Sequence, residues 1–131
     1  HLPQALLNVF LKVKKNKSIL VSDATKFAGL KPGSYQSHIG GAVELDASGK
    51  LFMSGSPKML AGSARSLLDC VDYLISTRLD STANILDMAS LRPNELLGDT
   101  RRCGIKAGNT ADLIVFERDA GTTKIIQTIT T

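Results

Sequence analysis

One stretch constrains the fold of this chain more than any other. Ser18-Ile19-Leu20-Val21-Ser22 is a continuous β-branched and apolar run, without the polar alternation of a half-exposed strand. Such a run is expected to be buried on both faces, as in a parallel sheet. It comes closely after Pro3 to Lys15, where Leu6, Phe10 and Val13 recur at helical spacing and Leu7 and Val9 widen the stripe. Pro3 suits the first helical turn. Lys12, Lys14 and Lys15 suit the last turn, where cations favour the helix dipole, so they read as a solvated helix end rather than a binding patch. Helix, tight turn and buried strand make the αβ half of a barrel or doubly wound repeat. The strand stops abruptly at Asp23-Ala24-Thr25.

Length and composition set the outer bounds. The 131 residues suffice for one domain, and fall short of the ~250 that a complete (β/α)8 barrel needs. The chain opens on His1 with no secretory pattern and enters its first helix at once, so further residues upstream are expected. A hydrophobic content of 43% with 21% charge excludes a disordered chain. No apolar run reaches the ~18 residues of a membrane span. The two cysteines, Cys70 and Cys103, make no disulfide framework and read as reduced thiols of a cytoplasmic protein. A net charge of +4 with 5% aromatics lacks the stacking set of a nucleic-acid binder and weakly suits an anionic ligand.

Further along, residues 26–37 read as loop, punctuated by Gly29, Pro32 and Gly33. Ala42–Leu45 and Lys50–Met53 flank Asp46-Ala47-Ser48-Gly49, a hairpin signal with a four-residue connection. A Gly/Ser stretch, Ser54 to Ser63, leads to a helix expected to start near Ser63, with Leu67, Leu68, Val71, Leu74 and Ile75 as its stripe. A third helix comes after Asp80, with Ala83, Leu86 and Ala89 inward, and a fourth carries Pro93 near its start and Gly98 past its end. Asp112–Glu117 and Lys124–Thr130 read as strands around Asp119-Ala120-Gly121. The pattern thus changes from α/β to antiparallel β near residue 100.

Few residues can carry chemistry. Asp23 stands where a buried strand meets its C-terminal loop, the edge at which parallel α/β folds place catalysis. A carboxylate there can bind a divalent metal or take a proton from an activated water. It can equally cap the next turn with its side chain. His1 immediately precedes the first helix, at a position equivalent to the loop after a preceding barrel strand. On the residues alone, a terminal histidine without a role is the heavier reading. Leu60-Ala61-Gly62-Ser63 would offer backbone N–H groups at a helix start to an anion or a sugar hydroxyl, or serve simply as a connection. His38 has no partner at metal-ligand spacing and reads as a surface residue; Cys70 reads as packing. No P-loop, GxGxxG, GxSxG or HExxH pattern occurs.

Cys103-Gly104-Ile105-Lys106-Ala107-Gly108-Asn109-Thr110-Ala111-Asp112-Leu113-Ile114-Val115 resembles the C-terminal signature of the amidohydrolase superfamily. There, G-x-I-x-x-G-x-x-A-D-L-V leads the chain from a barrel into a small β domain. Within the superfamily the resemblance is to the N-acetylglucosamine-6-phosphate deacetylase family. Leu20-Val21-Ser22-Asp23-Ala24 resembles its eighth-strand motif L-V-(T/S)-D-A, His1-Leu2 the end of its D-G-x-H motif, and Leu60-Ala61-Gly62-Ser63 its L-(A/S)-G-S loop.

The resemblance implies a fold class and a set of roles. The fold would be α/β: residues 1–100 the C-terminal part of a (β/α)8 metal-dependent hydrolase barrel, with its last strand and helices and a β-hairpin insertion near 38–53, and residues 101–131 part of a small β-sandwich domain. Asp23 would be the catalytic aspartate, general base toward the attacking water and then acid toward the leaving amine. It is also the chain's one candidate contact to a divalent metal, zinc or iron, whose other ligands lie on strands outside this chain. His1 would bind substrate, and the backbone at Leu60, Ala61 and Gly62 would line the sugar pocket. The implied activity is hydrolysis of N-acetylglucosamine 6-phosphate to glucosamine 6-phosphate and acetate, with this chain alone inactive. The implied partner is a small amino-sugar phosphate, with no nucleic acid or membrane involved and a homodimer left open. Two alternatives remain: a cyclic-amide hydrolase of the dihydroorotase or hydantoinase kind, which shares the C-terminal signature, and a non-catalytic α/β module.

Overall fold

A computed structural model of the chain describes residues 2–38, 41–102 and 104–131. It is α/β, with antiparallel sheets. Two compact units divide it, one of Val21–Cys70 and one joining Leu2–Leu20 to Val71–Thr131. Among the described residues, no helix is long and apolar enough to cross a membrane.

The first unit is a four-stranded antiparallel meander: β1 (Gly33–Ser37), β2 (Gly41–Leu45), β3 (Lys50–Met53) and β4 (Ser56–Ser63). Alternation fixes its faces. Val43 and Leu45 point into the core while Glu44 between them points out and accepts a hydrogen bond from Ser34 Oγ at 3.1 Å. The turn from β2 to β3 is built on one carboxylate. Asp46 Oδ1 accepts from the Ser48 N–H (2.8 Å), the Ser48 hydroxyl (2.7 Å) and the Lys50 N–H (2.9 Å). These donors, the Ser48 hydroxyl foremost, hold the Asp46 carboxyl below its ordinary range. Phe27, Val43, Leu45 and Leu51 form the core, flanked by Tyr35, Met53, Ala61 and Ala64.

Two segments differ from the sequence expectation here. β1 lies inside the expected loop 26–37, and β4 occupies most of the Gly/Ser stretch 54–63. Ladder hydrogen bonds come from the backbone, so a strand low in β-branched residues still forms when a neighbour pairs with it. Two register shifts between β3 and β4 absorb the irregular composition. The helix start also moves. Ser63 belongs to β4, and the cap of α2 (Leu67–Thr77) is Ser66, whose hydroxyl accepts from the Asp69 N–H at 3.2 Å while Asp69 Oδ2 accepts from the Ser66 N–H at 2.7 Å.

Among the described residues, the expected buried strand Ser18–Ser22 has no ladder partner. The described sheets are wholly antiparallel, and this segment's neighbourhood holds one isolated parallel bridge, Ala24 to Ser63. Val21 is 72% exposed. A parallel strand needs partners of the same direction on its flanks, and the described strands supply none.

The second unit packs α1 (Gln4–Lys14), the Val71–Thr77 part of α2, α3 (Thr82–Ala89) and α4 (Leu91–Leu96), with a hairpin of β5 (Leu113–Asp119) and β6 (Thr122–Ile129). Val71, Leu74, Ile85 and Met88 are its buried core, with Leu7, Leu11, Leu20, Ile75, Leu86 and Ala89 against them. Leu6, Phe10 and Val13, expected to face inward, are exposed, Val13 at 69%. Apolar residues surround more than one face of α1, so spacing alone does not choose between Leu6/Phe10/Val13 and Leu7/Leu11. On α3, Ile85 and Met88 take the core and Ala83 is exposed. The Ser81 hydroxyl caps α3 by accepting from the Asn84 N–H at 3.2 Å. Arg92 is buried because its guanidinium is partnered: it donates to the Ser18 carbonyl at 3.0 Å and to Asn84 Oδ1.

The β5–β6 hairpin turns through Ala120 (φ 46°) and Gly121 (φ 90°), the doubly left-handed pair that a two-residue connection requires. Asp72 secures it. Its carboxylate accepts from Arg118 Nη1 at 3.0 Å, the Thr123 N–H at 2.9 Å and the Thr123 hydroxyl at 2.5 Å. Burial pushes the Asp72 carboxyl up, but the Thr123 hydroxyl and N–H and the Arg118 charge together bring it below its ordinary value. Its stabilising contribution is therefore full above the ordinary carboxylate range and is lost as pH falls through the lowered value. Asp72→Ala is expected to cost about 1–3 kcal/mol at neutral pH by urea unfolding. The gap between variant and parent should close in acid; an equal gap at both pH values would remove the carboxylate from the account.

Candidate active site

Asp23 is exposed and adopts a left-handed backbone, φ 52°. Aspartate is among the few non-glycine residues that tolerate this region, because its short polar side chain can bond locally. The Ser22 hydroxyl accepts from the Ala24 N–H at 3.3 Å across the turn. A left-handed residue reverses the chain sharply, and here the reversal comes directly after Ser22.

Thr25, two residues on, anchors the turn. It donates twice to the Ser63 carbonyl, from its N–H at 2.7 Å and from its hydroxyl at 3.0 Å. Its hydroxyl accepts from the Phe27 N–H at 3.4 Å, and Phe27 is buried in the first unit's core. With the Ala24–Ser63 bridge, these bonds bring the Asp23 turn to the end of β4, which carries Leu60, Ala61 and Gly62. Leu60 pairs with Phe52 and Gly62 with Leu51 across the β3–β4 ladder. Leu60–Ser63 is thus a strand end and not a connection at a helix start, so its backbone is presented along a sheet margin.

Gly62 is required by this approach. Its φ is 124°, and a Cβ there would lie 2.6 Å from Thr25 Cγ2. No side chain fits between the strand and the threonine, which gives the glycine of the Leu-Ala-Gly-Ser motif a steric reason.

His1 lies outside the described residues, as does Cys103 of the C-terminal signature. His38 is exposed beyond the end of β1. Cys70 is half-buried, and burial first, then the neighbouring Asp69 charge, pushes its thiol up, away from a reactive thiolate. Among the described residues no three His, Cys, Asp or Glu side chains cluster to hold a metal ion. Asp23 by itself does not complete a coordination shell. Thr25 and the Ser63 carbonyl were not singled out by motif reading. The signal available was the hydroxyl residue two positions after the aspartate, where a local side-chain bond to the backbone is common.

No family model matches the chain. It is 29% identical over 118 residues to N-acetylglucosamine-6-phosphate deacetylase of Bos taurus, and 30% identical over 118 residues to that of Danio rerio. Each match covers 89% of this chain and 28% of the relative, so the chain spans little more than a quarter of the length of the curated relatives it matches. The structure of N-acetylglucosamine-6-phosphate deacetylase from Pasteurella multocida superposes with a TM-score of 0.86 at 25% identity, over 99% of this chain and 33% of that one. That from Thermotoga maritima gives 0.84 at 26% identity, over 99% and 34%. The class these likenesses define is that of deacetylating hydrolases. Within it, this chain is similar to the C-terminal portion of N-acetylglucosamine-6-phosphate deacetylase.

Gly62→Ala is expected to destabilise the protein by about 1–3 kcal/mol, the cost of forcing a side chain into a sparsely populated backbone region. Adding Thr25→Ser, which removes the clashing methyl, should recover part of that loss in thermal or urea unfolding. No recovery would mean that the Thr25 contact is not what demands glycine.

Proposed function

We propose that the protein containing this chain hydrolyses the acetamide of N-acetylglucosamine 6-phosphate, giving glucosamine 6-phosphate and acetate, with Asp23 as its proton-transferring group. In this reading Asp23 takes a proton from the attacking water as the tetrahedral carbon forms. It then delivers that proton to the amine nitrogen as the C–N bond breaks. The backbone of Leu60, Ala61 and Gly62 lines the sugar, and His1 contacts substrate beside the reacting amide. Zinc or iron, as the resemblance implies, would be gripped by side chains outside this chain. Residues 1–100 would complete a (β/α)8 barrel, residues 101–131 would join a small β domain, and the enzyme would work in the cytoplasm on a free metabolite.

The observation that carries the reading is the Ala24–Ser63 bridge with its Thr25 bonds. In a chain similar to these deacetylases, it sets the aspartate motif beside the Leu-Ala-Gly-Ser strand, although nearly forty residues separate them in sequence. A shared mouth is what acid–base work on a bound sugar amide requires.

Acetate release from N-acetylglucosamine 6-phosphate by the full-length protein tests the proposal. Asp23→Asn should lower turnover by at least ~100-fold while leaving the melting temperature close to that of the parent, since the side chain is exposed. Undiminished turnover would take the proposed role from Asp23. A panel including dihydroorotate and hydantoin decides the substrate class: preference for a cyclic amide over the amino sugar would reject the deacetylase reading. The 131-residue chain alone is expected to release no acetate.

A further inference from the structure

The geometry points to Thr25 as a positioning residue for Asp23, through the hydroxyl clasp it makes on the Ser63 carbonyl; this rests on the reading of Asp23 as the proton-transferring group. Asp23 holds a backbone conformation that is costly outside glycine and persists only where the surroundings over-determine it. On its C-terminal side the Ala24–Ser63 bridge and Thr25 contribute to those surroundings. Thr25 places two donors, N–H at 2.7 Å and Oγ1 at 3.0 Å, on a single carbonyl oxygen. That carbonyl belongs to Ser63, which is buried and paired with Lys50 in the β3–β4 ladder, so the acceptor does not move freely. The same Thr25 hydroxyl accepts from the Phe27 N–H at 3.4 Å, tying the turn to a core side chain. Its methyl occupies the space that any Cβ at position 62 would claim.

The hydroxyl is thus engaged as donor and as acceptor within the turn, and the part assigned to it is geometric. Its effect is to fix the distance and angle between the carboxylate turn and the Leu60–Gly62 backbone. Such a residue influences the reacting geometry more than the binding of the sugar. Misplacing a reacting group by about an ångström can cost on the order of 100-fold in rate.

The test uses the full-length protein with N-acetylglucosamine 6-phosphate as substrate. Thr25→Val keeps the shape and removes the hydroxyl, Thr25→Ser keeps the hydroxyl and removes the methyl, and Thr25→Ala serves where valine is not accommodated. The expected result is a fall in kcat of roughly 10- to 100-fold for Thr25→Val, with KM nearly unchanged. Amide exchange should quicken in residues 22–27 and 60–64 and nowhere else, and Thr25→Ser should run close to the parent rate. Thr25→Ser as impaired as Thr25→Val would overturn the hydroxyl clasp in favour of methyl packing. A loss confined to KM or to melting temperature would reduce Thr25 to a binding or purely structural part. Asp23→Asn, run alongside, separates the two levels. Full-rate Thr25→Val beside an inactive Asp23→Asn defeats the positioning role alone, whereas a full-rate Asp23→Asn defeats the reading beneath it.

Discussion

Two donors from one threonine converge on the Ser63 carbonyl, and through that oxygen two stretches far apart in sequence become one place. The arrangement is economical because most of it is backbone. A carbonyl at the end of a paired strand is already held by its ladder, so bonds made to it inherit that rigidity. The Asp23 turn has no ladder of its own and depends on this borrowed order. The close approach then dictates sequence on the opposite side, where a Cβ at position 62 would sit 2.6 Å from the Thr25 methyl. A hydroxyl residue at 25 and a glycine at 62 are two halves of one steric and hydrogen-bonding solution.

The first unit supplies the rigidity by ordinary means. Alternation on β2 buries Val43 and Leu45 and leaves Glu44 outside, so the register cannot slip by one residue without inverting both faces. The Asp46 carboxylate, bound by three donors, closes the hairpin that sets this register. Arg65 adds a brace from the far end of β4, donating from Nε to the Ser48 carbonyl at 2.8 Å and from its N–H to Ser63 Oγ at 3.1 Å. Ser63 is therefore gripped through its hydroxyl as well as its carbonyl, the oxygen that holds the Asp23 turn.

Much of this was legible in the residues, and the failures have physical causes. The β2–β3 hairpin, helices α2 to α4 and the β5–β6 pair arise from periodicity and turn residues, which act locally. The four motifs carried the resemblance because they are short and ordered. What periodicity could not supply was partnership. Ser18–Ser22 reads as a two-sided buried strand, yet strand identity requires neighbours, and the described sheets are antiparallel. β1 and β4 were hidden for the converse reason, since a neighbour made strands of segments with little intrinsic preference. On α1 the apolar residues outnumber one face, so composition left the choice between Leu6/Phe10/Val13 and Leu7/Leu11 undecided. The start of α2 was readable from Ser66 and Asp69, a Ser-x-x-Asp box that the more conspicuous Ser63 obscured.

The same distinction governs the site. A motif reports which residue types stand together in sequence, and it reported Asp23 and Leu60–Gly62 separately. It does not report what holds a carboxylate at a fixed angle, because that task falls to groups such as a main-chain oxygen that every residue possesses. Ser63 contributes its carbonyl whatever its side chain is, so no pattern of letters marks it. Thr25 leaves a fainter trace, a hydroxyl two positions after an acid, which gains meaning only once the strand it reaches is known. Reactive groups are therefore the part of such a site that sequence advertises, while the groups that aim them are found by asking where each backbone hydrogen bond goes.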